Sequence, residues 1–204
     1  MIKMKLLRKI VFLIIAFGGL HQNSLAQDPC HFHNLKKETT ALGRTIDYRK
    51  VNDSIYHIYY GQAESLRKVP GDFYCDAPVL TKPYVEAEND DFLFLSHRCG
   101  TACRIGHVLP LDPGLEIKIL PHWLTYDLDK NLIVSMDYDF EHKSMHIKLM
   151  DLTSYEEKDY DTGVSCDYGI PIDCFKQVEI EEDKVVVTWE KDIKAPPYEI
   201  AFGK

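Results

Sequence analysis

Four side chains able to hold a metal ion or exchange electrons fall within eleven positions: His97, Cys99, Cys103 and His107. Thiolate and imidazole together suit Cu(I) or Zn(II), so the four form a candidate metal set. The loop Cys99-Gly100-Thr101-Ala102-Cys103 also admits redox chemistry, because Arg98, Arg104 and His97 would lower the pKa of a neighbouring thiol. Its spacing is one residue longer than Cys-x-x-Cys, and no strand–helix–strand pattern surrounds it. The competing reading is a plain disulfide across a turn. An oxidised pair supplies no thiolates.

The residues around this cluster say how it must be held. In FLFLSHRCGTACRIGHVLPL (92–111) two β-rich apolar runs flank the loop, which predicts an antiparallel hairpin. With Cys99 opposite Cys103, His97 faces Ile105 and Leu95 faces His107. Side chains alternate along a strand, so Leu93, Leu95, His97 and Cys99 share a face with Cys103, Ile105, His107 and Leu109. The other face carries Phe92, Phe94 and Val108 and is also apolar. A central hairpin covered on both sides is expected.

The N-terminus sets the compartment expected for these cysteines. Lys3, Lys5, Arg8 and Lys9 precede an apolar run of 11 residues, Ile10–Leu20, and Ser24-Leu25-Ala26 offers a signal-peptidase cut. Residues 1–26 are therefore read as a signal peptide and 27–204 as one domain, periplasmic or secreted. No later segment suggests insertion into a membrane. Removing four of the 24 basic residues leaves 20 against 32 acidic ones, a mature net charge of −12. Such a surface repels nucleic acid and favours cationic partners.

In an oxidising compartment the six cysteines, Cys30, Cys75, Cys99, Cys103, Cys166 and Cys174, are expected to form three disulfides. Proximity pairs Cys99 with Cys103 and Cys166 with Cys174, leaving Cys30 for Cys75. On chain entropy the long loop would contribute roughly 4 kcal/mol and each short one roughly 2–3 kcal/mol.

Along the chain, strands are expected at 45–49, 54–60, 65–69, 115–120, 132–138, 145–152, 178–180, 185–190 and 198–202, with 155–161 a charged strand or loop. Pro78 and Pro83 argue for a loop or edge strand between them and the central hairpin. No amphipathic helix of three turns occurs. Asn52-Asp53, Asp90-Asp91, Asp129-Lys130-Asn131 and Asp183-Lys184 each precede an apolar strand, and Ile55, Phe92, Leu132 and Val185 are 37, 40 and 53 residues apart. The fold class is all-β: a disulfide-stapled antiparallel meander of hairpins, propeller-like with about four blade-like repeats, or else a β-sandwich.

Other constellations are thin. Cys30-His31-Phe32-His33 places two imidazoles on one side of an extended segment. Asp127-Leu128-Asp129-Lys130-Asn131 opens like a calcium loop but lacks the glycine at position six and the glutamate at twelve. Asp137, Asp139 and Glu141 alternate onto one face, as a carboxylate pair for glycoside hydrolysis would need, yet they adjoin a turn. No nucleophile elbow, phosphate loop or His-Glu-x-x-His occurs. The expectation is a non-catalytic envelope module without a cofactor, of inhibitor or immunity type, binding a cationic protein. Tyr138, Asp139, Glu141, His142, Tyr155 and Tyr160 are its candidate contacts, since tyrosine suits recognition surfaces. Copper or zinc handling by His97, Cys99, Cys103 and His107 is the alternative.

Thiol titration of the native protein separates the two. No free thiol is expected; two reactive thiols that a bound metal protects would establish the metal reading instead.

Overall fold

The structure is a computed structural model that describes residues 35–75, 82–100, 103–166, 171–190 and 193–202. Residues 1–26, read above as a signal peptide, together with Cys30, His31 and His33, lie outside these residues. Among the described residues no helix is long and apolar enough to cross a membrane.

The chain folds as four antiparallel sheets taken up in sequence order. The first contains β1 (Glu38–Thr39), β2 (Thr45–Lys50), β3 (Ile55–Gln62), β4 (Ser65–Lys68) and β5 (Phe73–Tyr74), with β4 and β5 both pairing to β3. The second is β6 (Tyr84–Glu88), β7 (Phe92–Gly100), β8 (Cys103–Pro110) and β9 (Lys118–Pro121). The third is β10 (Trp123–Asp127), β11 (Leu132–Asp139), β12 (Ser144–Asp151) and β13 (Glu156–Asp161). The fourth is β14 (Phe175–Ile180), β15 (Lys184–Trp189) and β16 (Tyr198–Ala201), preceded by a 3-10 turn at Pro171–Cys174. The protein is thus all-β. Its four sheets are more than the two of a sandwich, and among the described residues no sheet closes into a barrel or propeller.

Three apolar cores lie between successive sheets. Ile46, Tyr48, Tyr56, Ile58 and Tyr60 of the first sheet meet Leu93, Leu95 and Leu109 of the second. Phe92, Phe94 and Val108 point the other way, against Trp123, Ile133 and Met150 of the third. Val134, Met136, Met145 and Ile147 then meet Val185, Val187 and Ile200 of the fourth. This explains the strand patterns. A strand buried on both faces reads as a continuous apolar run, as in FLFL and LIV; β15 is also apolar at Val185–Val187, yet only its alternate residues are fully buried because its other face is less covered.

The repeat seen in the sequence marks one equivalent feature of each sheet. Ile55, Phe92 and Leu132 open β3, β7 and β11, and Val185 lies one residue into β15; each strand follows a polar hairpin turn. Asn52 Oδ1 accepts from Ser54 N (2.9 Å), Asn89 Oδ1 from Phe92 N (2.8 Å) and Asp127 Oδ1 from Lys130 N (3.1 Å). These side chains imitate a backbone turn and so favour reversal just there.

Three elements escaped the pattern: β1, β5 and β10. β6 is the edge strand beginning just after Pro83. β10 follows β9 with only His122 between them. That residue has φ 53°, donates its N–H to Arg104 O (2.7 Å) and accepts from Met136 N (3.1 Å), so the chain crosses there from the second sheet to the third.

Polar groups close the seams. Arg44 and Glu88 pair at 3.4 Å with side chains only 6% and 9% exposed, and Glu88 also accepts from the Thr40 hydroxyl and Leu42 N. Six tyrosine hydroxyls donate to carbonyls at these seams or in the segments beside them. Tyr48 reaches Pro83 and Tyr60 reaches Pro110, while Tyr126 reaches Glu86 and Tyr155 reaches Glu116. Tyr138 and Tyr198 bond Cys166 and Asp161.

Where β8 crosses the ring of Phe94, only glycine fits. A Cβ on Gly106 would stand 2.5 Å from Phe94 Cε2 and 3.1 Å from Trp123 Cδ1, and both rings are buried. Gly106→Ala is expected to lower the unfolding free energy by about 1–3 kcal/mol in urea titration. A change near zero would mean that this seam is loosely packed.

Candidate functional site

The β7–β8 register places His97 opposite Ile105 and Leu95 opposite His107, as expected. The hairpin tip differs by one residue. Gly100, not Cys99, pairs with Cys103, because the ladder slips between Arg98 and Gly100. The bulge leaves the Cys99 and Cys103 α-carbons 5.0 Å apart, within disulfide reach, and the two are bonded. Cys166 and Cys174 are bonded as well, 6.1 Å apart at Cα. Cys75 is disulfide-bonded too; its expected partner Cys30 lies outside the described residues.

This hairpin face forms one wall of a cavity of about 330 Å³ between the first and second sheets. His97 and His107 stack at 5.3 Å between ring centroids with 17° between planes. Phe73 of β5 presents its ring to both, at 5.9 and 5.5 Å. Cys99, Ile105 and Ile119 add apolar wall, and the Pro70-Gly71 turn forms the rim with Asp72, whose carboxylate pairs with His57 Nε2 at 2.8 Å.

The imidazoles have an unusual environment. His107 is 4% exposed, and neither its Nδ1 nor its Nε2 has a hydrogen-bond partner; His97 Nδ1 is buried and unpartnered too. Burial pushes both down to about 4, and for His107 the neighbouring His97 adds to it. Both are therefore neutral near pH 7. Buried polar groups without partners are rare in native proteins and cost roughly 1–3 kcal/mol each.

Of the four candidate metal ligands, two are consumed by the disulfide. The remaining imidazoles meet face to face, whereas ligation requires ring nitrogens converging in the ring planes. Among the described residues no group of three or more His, Cys, Asp or Glu side chains stands ready to hold an ion.

The candidate contact residues divide in two. Tyr138, Asp139, Glu141 and His142 gather at the β11–β12 turn. Asp139 Oδ1 accepts from Glu141 N (2.8 Å) and His142 N (3.0 Å), and Oδ2 meets His142 Nδ1 at 2.6 Å. The backbone N–H and imidazole of His142 hold the Asp139 carboxyl down to about 2, and the carboxylate raises His142 in return. At the tip sits Phe140, 80% exposed and edge-on to Tyr138 at 4.9 Å. The expected strands at 132–138 and 145–152 already placed it in the turn; its exposure as a contact was not legible from sequence. Tyr160 lies on β13, half-buried against the third core. Tyr155 is elsewhere. It belongs to the β12–β13 turn at the opposite end of the sheet, stacked on Phe92 at 5.9 Å and bonded to the Glu116 carbonyl, so it packs one sheet on the next.

The buried imidazole pair makes stability depend on pH. The unfolded chain binds protons at these residues near pH 6.5, the folded chain only near 4, so stability is full above 6.5 and lost as pH falls towards 4. For His107 the loss is on the order of 3 kcal/mol, and less for the more exposed His97. Urea midpoints at a series of pH values should drop across this window, and His107→Phe should flatten the drop. An unchanged profile in that variant would exclude these groups as its source.

No family model matches the chain, and comparison with known proteins and solved structures finds no match to either.

Proposed function

We propose that the protein is an exported, non-catalytic binding module of the cell envelope, periplasmic or secreted, that engages a cationic protein partner, as an inhibitor or immunity protein would. In this reading the four meanders form an open, propeller-like arc of four blades, a rigid frame presenting its turns. The leader-like segment 1–26, the mature charge of −12 and the absence of a catalytic motif support it.

The observation that carries the reading is the β11–β12 tip. An exposed Phe140 is held on a turn whose geometry Asp139 fixes through two backbone bonds, and Asp139 and Glu141 flank it in the chain. Asp137, His146 and Asp161 lie in register across β11, β12 and β13, with Asp159 at 3.0 Å from His146. An aromatic anchor flanked by acidic residues fits a basic surface carrying an apolar pocket. The acidic β13 also blunts pairing at that sheet edge, which keeps the module from joining to copies of itself.

Capture from envelope extract by the immobilised mature chain tests this. A basic protein should be retained at low salt, be released as salt screens the charges, and bind at least about tenfold more weakly to Phe140→Ser. Recovery of nothing at low salt, or a partner indifferent to Phe140, would sink the proposal.

A further inference from the structure

The cavity between the first and second sheets is distant in topology from the acidic tip and independent of any protein partner. We infer that it is a binding site for a small, uncharged aromatic compound carrying a hydroxyl group, with the ring lodged between Phe73, Ile105 and the imidazole pair and the hydroxyl bonded to His107.

The volume, about 330 Å³, falls in the range of ligand sites and exceeds the roughly 150 Å³ that suffices for benzene in an apolar protein cavity. The walls are chiefly aromatic and aliphatic, so a ring gains burial without losing polar contacts. At the mouth, Tyr74 and Ile119 are large side chains left about half exposed. Each would be further covered by an occupant.

The hydroxyl follows from the imidazoles. A neutral imidazole always presents one N–H donor and one bare acceptor nitrogen, and in His107 both are buried without a partner. A hydroxyl is the smallest group that donates and accepts at once. It could give its proton to the bare nitrogen of one ring and accept from the N–H of the other. A carboxylate could use only the N–H and would bring a charge into an apolar site beside Asp72. An ammonium could use only the bare nitrogen at the same desolvation cost.

The site is also built to keep its shape. His97 and His107 stand on adjacent strands of a sheet buried on both faces, and Cys99, on the cavity wall, is tied across the hairpin tip to Cys103. A pocket already formed loses little entropy on filling.

The test uses the mature chain with its disulfides intact, titrated with 4-methylphenol while the imidazole nitrogens are followed by ¹H–¹⁵N NMR. Saturable shifts of His107 and His97 are expected, with Kd on the order of 1 mM or tighter. Toluene and benzoate should each bind at least about tenfold more weakly, toluene because it leaves the buried nitrogens unpaired and benzoate because it carries a charge into an apolar site beside Asp72. Ile119→Trp should block the mouth and abolish the shifts while leaving the urea midpoint in place, so lost binding is not mistaken for lost folding. No saturable shift with 4-methylphenol, equal binding of toluene, or binding undiminished by Ile119→Trp would each overturn the assignment.

Discussion

Burial of a β-sheet on both faces is the constraint from which this structure follows. The second and third sheets have apolar side chains on each side, and each face must find a partner sheet to leave water. At roughly 25 cal/mol per Å² of apolar surface, a strand such as β7, with Phe92, Phe94, Leu93 and Leu95 all buried, contributes on both sides at once. Stacking in chain order is the cheapest solution, because each new sheet covers the exposed face of the one before it. Its consequence is a series of seams, where strand ends bring backbone carbonyls together away from solvent. The tyrosine hydroxyls meet that need. Arg67 does the same with three carbonyls, those of Pro110, Asp112 and Leu115. Tyrosine is abundant here because it joins a strand-forming ring to a hydroxyl that reaches across a seam.

The same constraint makes the imidazole pair conspicuous. His97 and His107 occupy the face that carries Leu93, Leu95 and Leu109 further along the hairpin, where apolar side chains would have cost nothing. Two neutral imidazoles with unpartnered nitrogens are a standing loss of stability, and the chain offsets it with packing elsewhere. The short β5 covers them with one ring, Phe73, and leaves a cavity where a longer strand would have filled the space.

Acidic side chains serve two masters. Asp112, Asp139, Asp151 and Asp161 each accept a backbone N–H two residues on, and Asp127 one three residues on, so part of the negative charge is turn chemistry. The charge left over concentrates on β13 and the β11–β12 tip. At the tip, Asp139 and Glu141 flank Phe140, an aromatic ring that is 80% exposed.

Much of this was written locally. Apolar runs marked most of the long strands, Asn and Asp turns marked the start of one inner strand per sheet, and two cysteine pairs were near enough in the chain to bond without knowledge of the fold. These features depend on neighbours a few residues apart, which a linear reading can see. Tertiary structure decided the rest. It made the crossover at His122, whose left-handed backbone no residue type announces. It stacked Tyr155 on Phe92 across a seam, and it left His107 without a partner, a fact that concerns what surrounds a side chain. Such outcomes rest on groups far apart in sequence meeting across a seam, and no periodicity encodes which ones meet.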